Sequence, residues 1–160
     1  RRVLEARNIS THFCIGNDGV IHQYVDTNNI AWHARGSNNH SIGIDFSNAY
    51  YIKYQNKYEN MGLSKRPICL NSKVHGVRLK PHLGYYPIQI EAYKKLVKTL
   101  CEYYDIPLEC PVDENNQLLT KVHKESVKKK FKGIVCHYHL TRNKIDCAGL
   151  ELKKIIDSLC

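Results

Sequence analysis

Residues 133–140 read Gly-Ile-Val-Cys-His-Tyr-His-Leu, and residues 144–149 read Lys-Ile-Asp-Cys-Ala-Gly. The apolar, β-branched start of this stretch predicts a strand over residues 133–138, with His137 close to its end. The loop from residue 138 to residue 146 then leads to Cys147, which precedes a helix with apolar periodicity. Because imidazole and thiolate are the commonest zinc ligands, we expect His137 and Cys147 to share one ion. His139 alternates with His137 along the predicted strand, so we expect it to face solvent.

Two ligands do not complete a zinc site, so a third has to come from elsewhere in the protein.

The remaining strands predicted from the sequence lie near the N-terminus. Residues 11–15 and 20–25 read as a hairpin around Asn17-Asp18-Gly19, and residues 41–46 read as a third strand. Gly43 interrupts that third strand and indicates a close backbone approach or a bulge.

Helices are predicted on both sides of these strands. Residues 1–7 read as the end of a helix, and Pro87 opens an amphipathic helix that ends near Tyr104. A closing helix covers residues 150–159, with apolar residues on one side. We therefore predict a mixed α/β fold, with helices flanking a central sheet of about four to six strands.

A single domain over residues 1–160 is the expected organisation, because this length suffices for one ordinary core. Residues 49–86 lack clear periodicity and hold six of the eleven tyrosines, so we interpret them as an insertion. These tyrosines either line a groove for a glycan or pack the insertion itself. Residues 111–132 form a basic connector, which includes six lysines between Lys121 and Lys132.

The net charge of +9 suggests an anionic partner: nucleic acid, a membrane surface or a bacterial wall polymer. The lysine-rich connector carries no accompanying aromatic pattern of an RNA-binding sheet, so we favour a solvated loop over a phosphate-binding surface. No stretch approaches the length of a membrane span, and no signal peptide is visible. The seven cysteines include no Cys-x-x-Cys pair, which favours reduced thiols over a disulfide framework.

Several short motifs occur in a characteristic order along the chain. They are His12-Phe13-Cys14-Ile15, Asp18-Gly19, Ala31-Trp32-His33-Ala34, Asn38-Asn39, Ser41-Ile42-Gly43-Ile44-Asp45 and His137 followed by Cys147-Ala148-Gly149. In this order they resemble the zinc-dependent N-acetylmuramoyl-L-alanine amidases of the peptidoglycan-recognition-protein fold, a family that includes amidase-type phage lysozymes. The resemblance covers residues 9–48 and 133–156 closely and the helix at Pro87 loosely.

The resemblance implies a zinc ion held by two histidines and a cysteine or aspartate. The second histidine falls on His137, and the last ligand falls on Cys147. Asp146 is the alternative for that last ligand, because it restores the family's two-residue spacing from Lys144. We prefer Cys147, whose position relative to Gly149 and the following helix matches the family pattern.

The first histidine of the family lies on a strand that would precede Arg1, so we expect the third ligand and the first strand of the fold upstream of this sequence. His12 and His33 are the substitutes to consider within the chain. His12 matches a family position that is not a ligand, whereas His33 matches a position near the cleft.

The same resemblance assigns the remaining site residues. Asp45 takes the place of a glutamate that acts as general base and acid, and Lys144 stands near the place of a lysine that stabilises the oxyanion. We expect the substrate to be bound by Trp32, His33, Asn38 and Asn39. Without the resemblance, Asp45 reads equally well as an exposed strand carboxylate, and the asparagines read as loop caps.

The implied activity is hydrolysis of the amide between N-acetylmuramic acid and L-alanine by zinc-activated water. The implied partner is peptidoglycan, and the expected setting is a phage lysin or a virion-associated wall hydrolase within a larger virion or lysis assembly. Such a protein would act first in the host cytoplasm and then in the periplasm or cell wall, or from the virion. The alternatives are a catalytically inactive peptidoglycan-binding module of the same fold and, less favoured, a basic nucleic-acid-binding protein.

Overall fold

The computed structural model describes Leu4 and residues 6–159. The helix end predicted over residues 1–7 therefore lies largely outside the described residues. The chain divides into two compact units, one formed by residues 1–47 and 87–93, the other by residues 48–86 and 94–160. This division leaves the single domain over residues 1–160 a prediction. Helices and small sheets alternate along the chain, which confirms the mixed α/β class.

The first unit is built on a three-stranded sheet. Its strands are β1 (Phe13–Ile15), β2 (Ile21–Gln23) and β3 (Ile44–Phe46), in the order β2-β1-β3. β2 runs antiparallel to β1 and β3 runs parallel to it, so Cys14 lies between His22 and Asp45 in the register. The predicted hairpin and third strand are confirmed.

Two glycines shape this sheet. Gly19 ends the hairpin turn with φ of +80°, a conformation that side chains with a Cβ rarely adopt. Gly43 has no side chain where the ring of His33 approaches, and a Cβ there would lie 2.7 Å from His33 Cγ. The close approach predicted at Gly43 is therefore confirmed.

The helix predicted after Pro87 is present as α2 (Pro87–Tyr104), preceded by the short helix α1 (Gln55–Asn60). Residues Pro87–Tyr93 of α2 belong to the first unit and the remainder to the second. In the first unit the buried Gln89 side chain donates hydrogen bonds to the carbonyls of Ile15 and Ser47, at 3.3 and 3.4 Å. These bonds satisfy carbonyls at the ends of two strands and fix the start of the helix against the sheet.

The second unit contains short elements joined by loops. The predicted insertion holds α1 and four short strands: β4 (Ile68–Cys69), β5 (Lys73–Val74), β6 (Val77–Arg78) and β7 (His82–Leu83). β4 pairs with β7, and β5 pairs with β6, both antiparallel. The helices that follow α2 are α3 (Lys124–Val127), α4 (His137–Leu140) and α5 (Leu152–Asp157). α5 buries Leu152, Ile155 and Ile156, as its apolar periodicity predicts.

The strand predicted over residues 133–138 is wrong: the structure forms no strand there, and His137 opens the helical turn α4. Cys136, immediately before the turn, has an extended backbone, but residues 133–136 do not pair in a ladder. Ile134 N–H donates to the Glu109 carbonyl at 2.8 Å, and Gly133 has φ of +144° where a Cβ would lie 2.6 Å from the Glu109 oxygen. The backbone therefore leaves strand geometry at Gly133, although the apolar run looks like a strand in sequence. Among the described residues the strands form one three-stranded and two two-stranded sheets, so the predicted single central sheet of about four to six strands is not found there.

Candidate active site

The helical turn α4 is held by bonds between its first residues. Cys136 precedes it with an extended backbone, and its N–H donates to Nδ1 of His139 at 2.9 Å. The backbone N–H of His139 donates in return to the Cys136 carbonyl at 2.9 Å. This reciprocal cap satisfies groups that a helix start leaves unpaired.

His139 is fully buried, so the predicted solvent-facing position is wrong. In the helical turn its ring points inward, where Nε2 donates to the Leu119 carbonyl at 2.5 Å. Burial lowers the pKa of His139 to about 4, further aided by the nearby His123 and His75 and opposed by the bond to Leu119. The ring is therefore neutral at pH 7 and serves to position α4.

His137 contacts the carboxylate of Asp146 directly, through Nδ1 and Oδ2. A backbone hydrogen bond from Tyr138 N–H to the Asp146 carbonyl, at 3.2 Å, holds the two segments together. Burial opposes ionisation of Asp146, but the hydrogen bond and charge of His137, together with Lys144, keep the pKa of this carboxyl below its ordinary value. An ionised carboxylate thus faces an imidazole nitrogen, and these are two zinc donor types.

The thiol of Cys147 forms a hydrogen bond with the buried Cys136. Its hydrogen bond lowers the pKa of the buried Cys136 thiol, although burial acts in the opposite direction. The Tyr138 hydroxyl also hydrogen-bonds Cys136, and burial raises the pKa of that phenol. The structure therefore brings Asp146 into contact with His137, and Cys147 as a zinc ligand stays a prediction.

The third ligand is not found in the part of the chain that the structure describes. Within Leu4 and residues 6–159, no group of three His, Cys, Asp or Glu side chains is placed to hold a metal ion. His12 donates from Nε2 to the Asn29 carbonyl at 3.0 Å and accepts at Nδ1 from Gly43 N–H at 2.9 Å. Both ring nitrogens of His12 are occupied, so it has no lone pair left for a metal.

Lys144 is exposed on the loop that carries Asp146. Its backbone is fixed from the β5–β6 turn, where His75 Nε2 donates to the Lys144 carbonyl at 3.0 Å. His75 itself is held by its N–H, which donates to the Thr120 carbonyl at 2.7 Å. The positive charge of Lys144 contributes to the lowered pKa of Asp146. Its role towards an oxyanion stays a prediction.

The other predicted site residues belong to the first unit. Asp45 lies half-buried on β3 opposite Cys14, and burial together with the Asp45 charge raises the pKa of that thiol. Trp32 is 65% exposed, so its ring is open to a ligand. The catalytic role of Asp45 and the binding role of Trp32 stay predictions.

The loop around residues 33–40 is fixed by its own polar side chains. The Asn38 oxygen accepts from His33 N–H at 3.1 Å and from Ala34 N–H at 2.6 Å, with Asn38 only 7% exposed. The His33 ring lies between the Ala31 carbonyl at 2.9 Å and the Ser41 hydroxyl at 3.0 Å. Asn38 thus caps the loop, as the alternative interpretation expected, while Asn39 is exposed. Substrate binding by these four residues stays a prediction.

Tyr85 and Cys136 were not predicted as part of this site. Burial raises the pKa of Tyr85 well above its ordinary value, and so do the nearby Cys147, Cys136 and Asp146. The phenol therefore stays protonated at neutral pH. Nothing in the spacing of residues 49–86 indicates this position. The Lys144-x-Asp146 spacing, by contrast, was visible in the sequence.

None of the described helices is long and apolar enough to cross a membrane.

Comparison with known families provides a direct identification of the chain. The profile of the N-acetylmuramoyl-L-alanine amidases matches residues 1–146. No curated protein and no solved structure matches the chain. The matched region includes His137, Lys144 and Asp146. The chain therefore belongs to the N-acetylmuramoyl-L-alanine amidase family, whose activity on peptidoglycan it shares.

Proposed function

We propose that this amidase uses a zinc ion held by His137 and Asp146, with a third ligand from outside the described residues. The observation that supports the proposal is the direct contact between the His137 ring and the Asp146 carboxylate. The lowered pKa of Asp146 favours its ionised form, which a metal ligand requires. Cys147 is the alternative ligand, and the experiment below separates the two.

The reaction adds water across the amide, giving the lactyl carboxylate of muramic acid and the free amine of L-alanine. When bound, zinc would act as a Lewis acid on the scissile carbonyl and lower the pKa of water. Lys144 would stabilise negative charge that develops on the carbonyl oxygen. Asp45 would transfer the proton to the departing amine. The exposed indole of Trp32 offers a flat surface for a sugar ring.

We further propose a phage lysin or virion-associated wall hydrolase as the biological setting. Support comes from the net charge of +9, which favours approach to an anionic wall. The enzyme would reach the wall from the host cytoplasm at lysis, or as part of a virion or lysis assembly. Lysis of host cells on expression together with a holin would support the first route.

The test uses the full-length protein, with zinc measured by mass spectrometry and activity by release of soluble fragments from purified walls. His137→Ala and Asp146→Ala should each lose zinc and activity, whereas Cys147→Ser should keep both. His22→Ala, at an exposed histidine on β2, is the matched control. Retention of zinc by Asp146→Ala with loss in Cys147→Ser would reverse the ligand assignment. Wild-type protein without zinc or cleavage would instead indicate a binding module.

A further inference from the structure

One exposed tyrosine, one half-buried tyrosine and two exposed lysines form a surface patch within the predicted insertion. We call Tyr51, Lys53, Tyr54 and Lys57 the tyrosine–lysine patch. Tyr51 is 60% exposed, both lysines are exposed and Tyr54 is half-buried. The four residues lie on the 3-10 turn Ile52–Tyr54 and on α1, or immediately before them. Exposed aromatic side chains clustered with charges are common in binding surfaces.

The two lysines are gathered over the aromatic rings. Lys53 Nζ lies 5.5 Å from the ring centroid of Tyr51 and 5.2 Å from that of Tyr54. Lys57 Nζ lies 4.9 Å from the Tyr54 centroid, and the two rings are 6.4 Å apart. Each of the three lysine–ring distances falls within the range of a cation–π interaction. None of the ion pairs found among the described residues includes Lys53 or Lys57, so their charges are not neutralised by a described carboxylate.

The patch rests on a firmly packed support. Tyr50 stacks on the buried His82 ring at 4.7 Å, and the Tyr51 ring packs edge-on against Tyr50 at 5.3 Å. The buried Tyr58 accepts at its hydroxyl from Ala49 N–H at 2.7 Å. Tyr50 and Tyr58 therefore pack the insertion, whereas Tyr51 is largely exposed and Tyr54 is half-buried. Rings held in this way lose little conformational freedom when a ligand binds.

The chemistry of the patch matches a polymer with sugar rings and carboxylates. An exposed phenol ring offers a face for the C–H groups of a sugar, and two ammonium groups without described counter-ions attract carboxylates. Peptidoglycan has both, because its glycan strands carry stem peptides with free carboxylates. We propose that the tyrosine–lysine patch is a second binding surface for polymeric peptidoglycan, separate from hydrolysis itself. This inference rests on the proposed action on walls.

The test compares two substrates and two triple variants. The patch variant is Tyr51→Ala/Lys53→Gln/Lys57→Gln. The control variant, Tyr103→Ala/Lys129→Gln/Lys130→Gln, removes the same groups from other exposed positions. We measure cosedimentation with purified walls, cleavage of these walls, and cleavage of a soluble muramyl tripeptide. Zinc content and far-UV circular dichroism verify that both variants are folded.

We expect the patch variant to bind and cleave walls about tenfold less well, while cleavage of the soluble substrate is unchanged. Raising salt should weaken wall binding of the wild type more than that of the patch variant. If the control variant loses wall binding and cleavage to the same extent, the effect does not depend on the patch and the proposal is overturned. Equal loss on the soluble substrate, or no loss on walls, would also overturn it.

The negative charge of a wall comes from peptidoglycan and from accessory anionic polymers. Repeating the binding assay on walls stripped of these polymers distinguishes the two sources. The difference between wild type and patch variant should persist on stripped walls, and its disappearance would exclude peptidoglycan as the ligand. If the wild type cleaves neither substrate, the proposed hydrolysis fails. Cosedimentation then still tests the patch, because binding is measured without cleavage.

Discussion

The buried His139 should make the stability of this enzyme fall in mild acid. Its pKa is lowered from the ordinary value of 6.5 to about 4, chiefly by burial. An unfolded chain therefore takes up a proton on this ring below pH 6.5, whereas the folded chain does not until about pH 4. Because the unfolded state binds more protons in this window, stability is lost as pH decreases through it.

The magnitude follows from these two pKa values. The contribution of His139 reduces the free energy of unfolding by about 2 kcal/mol at pH 5 and about 3 kcal/mol at pH 4, relative to pH 7. His139→Asn removes the titrating ring and retains an acceptor for the Cys136 N–H. The variant is expected to be less stable at pH 7, because the Leu119 carbonyl loses its donor, but to lack this pH-dependent loss.

The assay is urea unfolding followed by circular dichroism at pH 7, 5 and 4, with a chelator present to exclude metal-linked effects. His22→Asn, at an exposed site, is the control and should follow the wild type. Parallel pH curves for wild type and His139→Asn would refute the argument, since the acid-sensitive group would then lie elsewhere.

Three further predictions concern single residues. Asp45→Asn should reduce wall hydrolysis about 10²- to 10⁴-fold with unchanged zinc content and unfolding free energy; near-normal activity would remove Asp45 from the mechanism. Gly149→Ala should cost about 3 kcal/mol in urea unfolding, because Gly149 has φ of +81° and a Cβ would lie 2.7 Å from Cys69 Sγ. Arg66→Lys should cost about 2 kcal/mol in the same assay, since it removes the donor at 2.8 Å to the Gly84 carbonyl and the guanidinium between two tyrosine rings. A cost near zero would contradict the structural role given to either residue.

Elements with strong local determinants were predictable. The Asn17-Asp18-Gly19 turn with its flanking apolar residues encodes the hairpin. Pro87, followed by apolar residues at helical spacing, encodes α2. The ordered motifs also sufficed to identify the amidase family, which the profile match confirms. These features depend on residues close together in sequence, so the sequence alone determines them.

Only the tertiary structure decided the conformation around His137. The apolar run before it looks like a strand, but whether it pairs depends on distant partners, and here Glu109 and Leu119 bind the segment and its helical turn instead. The same holds for Asp146 and Cys147, which are neighbours in the chain but face different groups. The Asp146 carboxylate contacts His137, and the Cys147 thiol contacts Cys136. The backbone conformation at residues 146 and 147 sets the direction of each side chain.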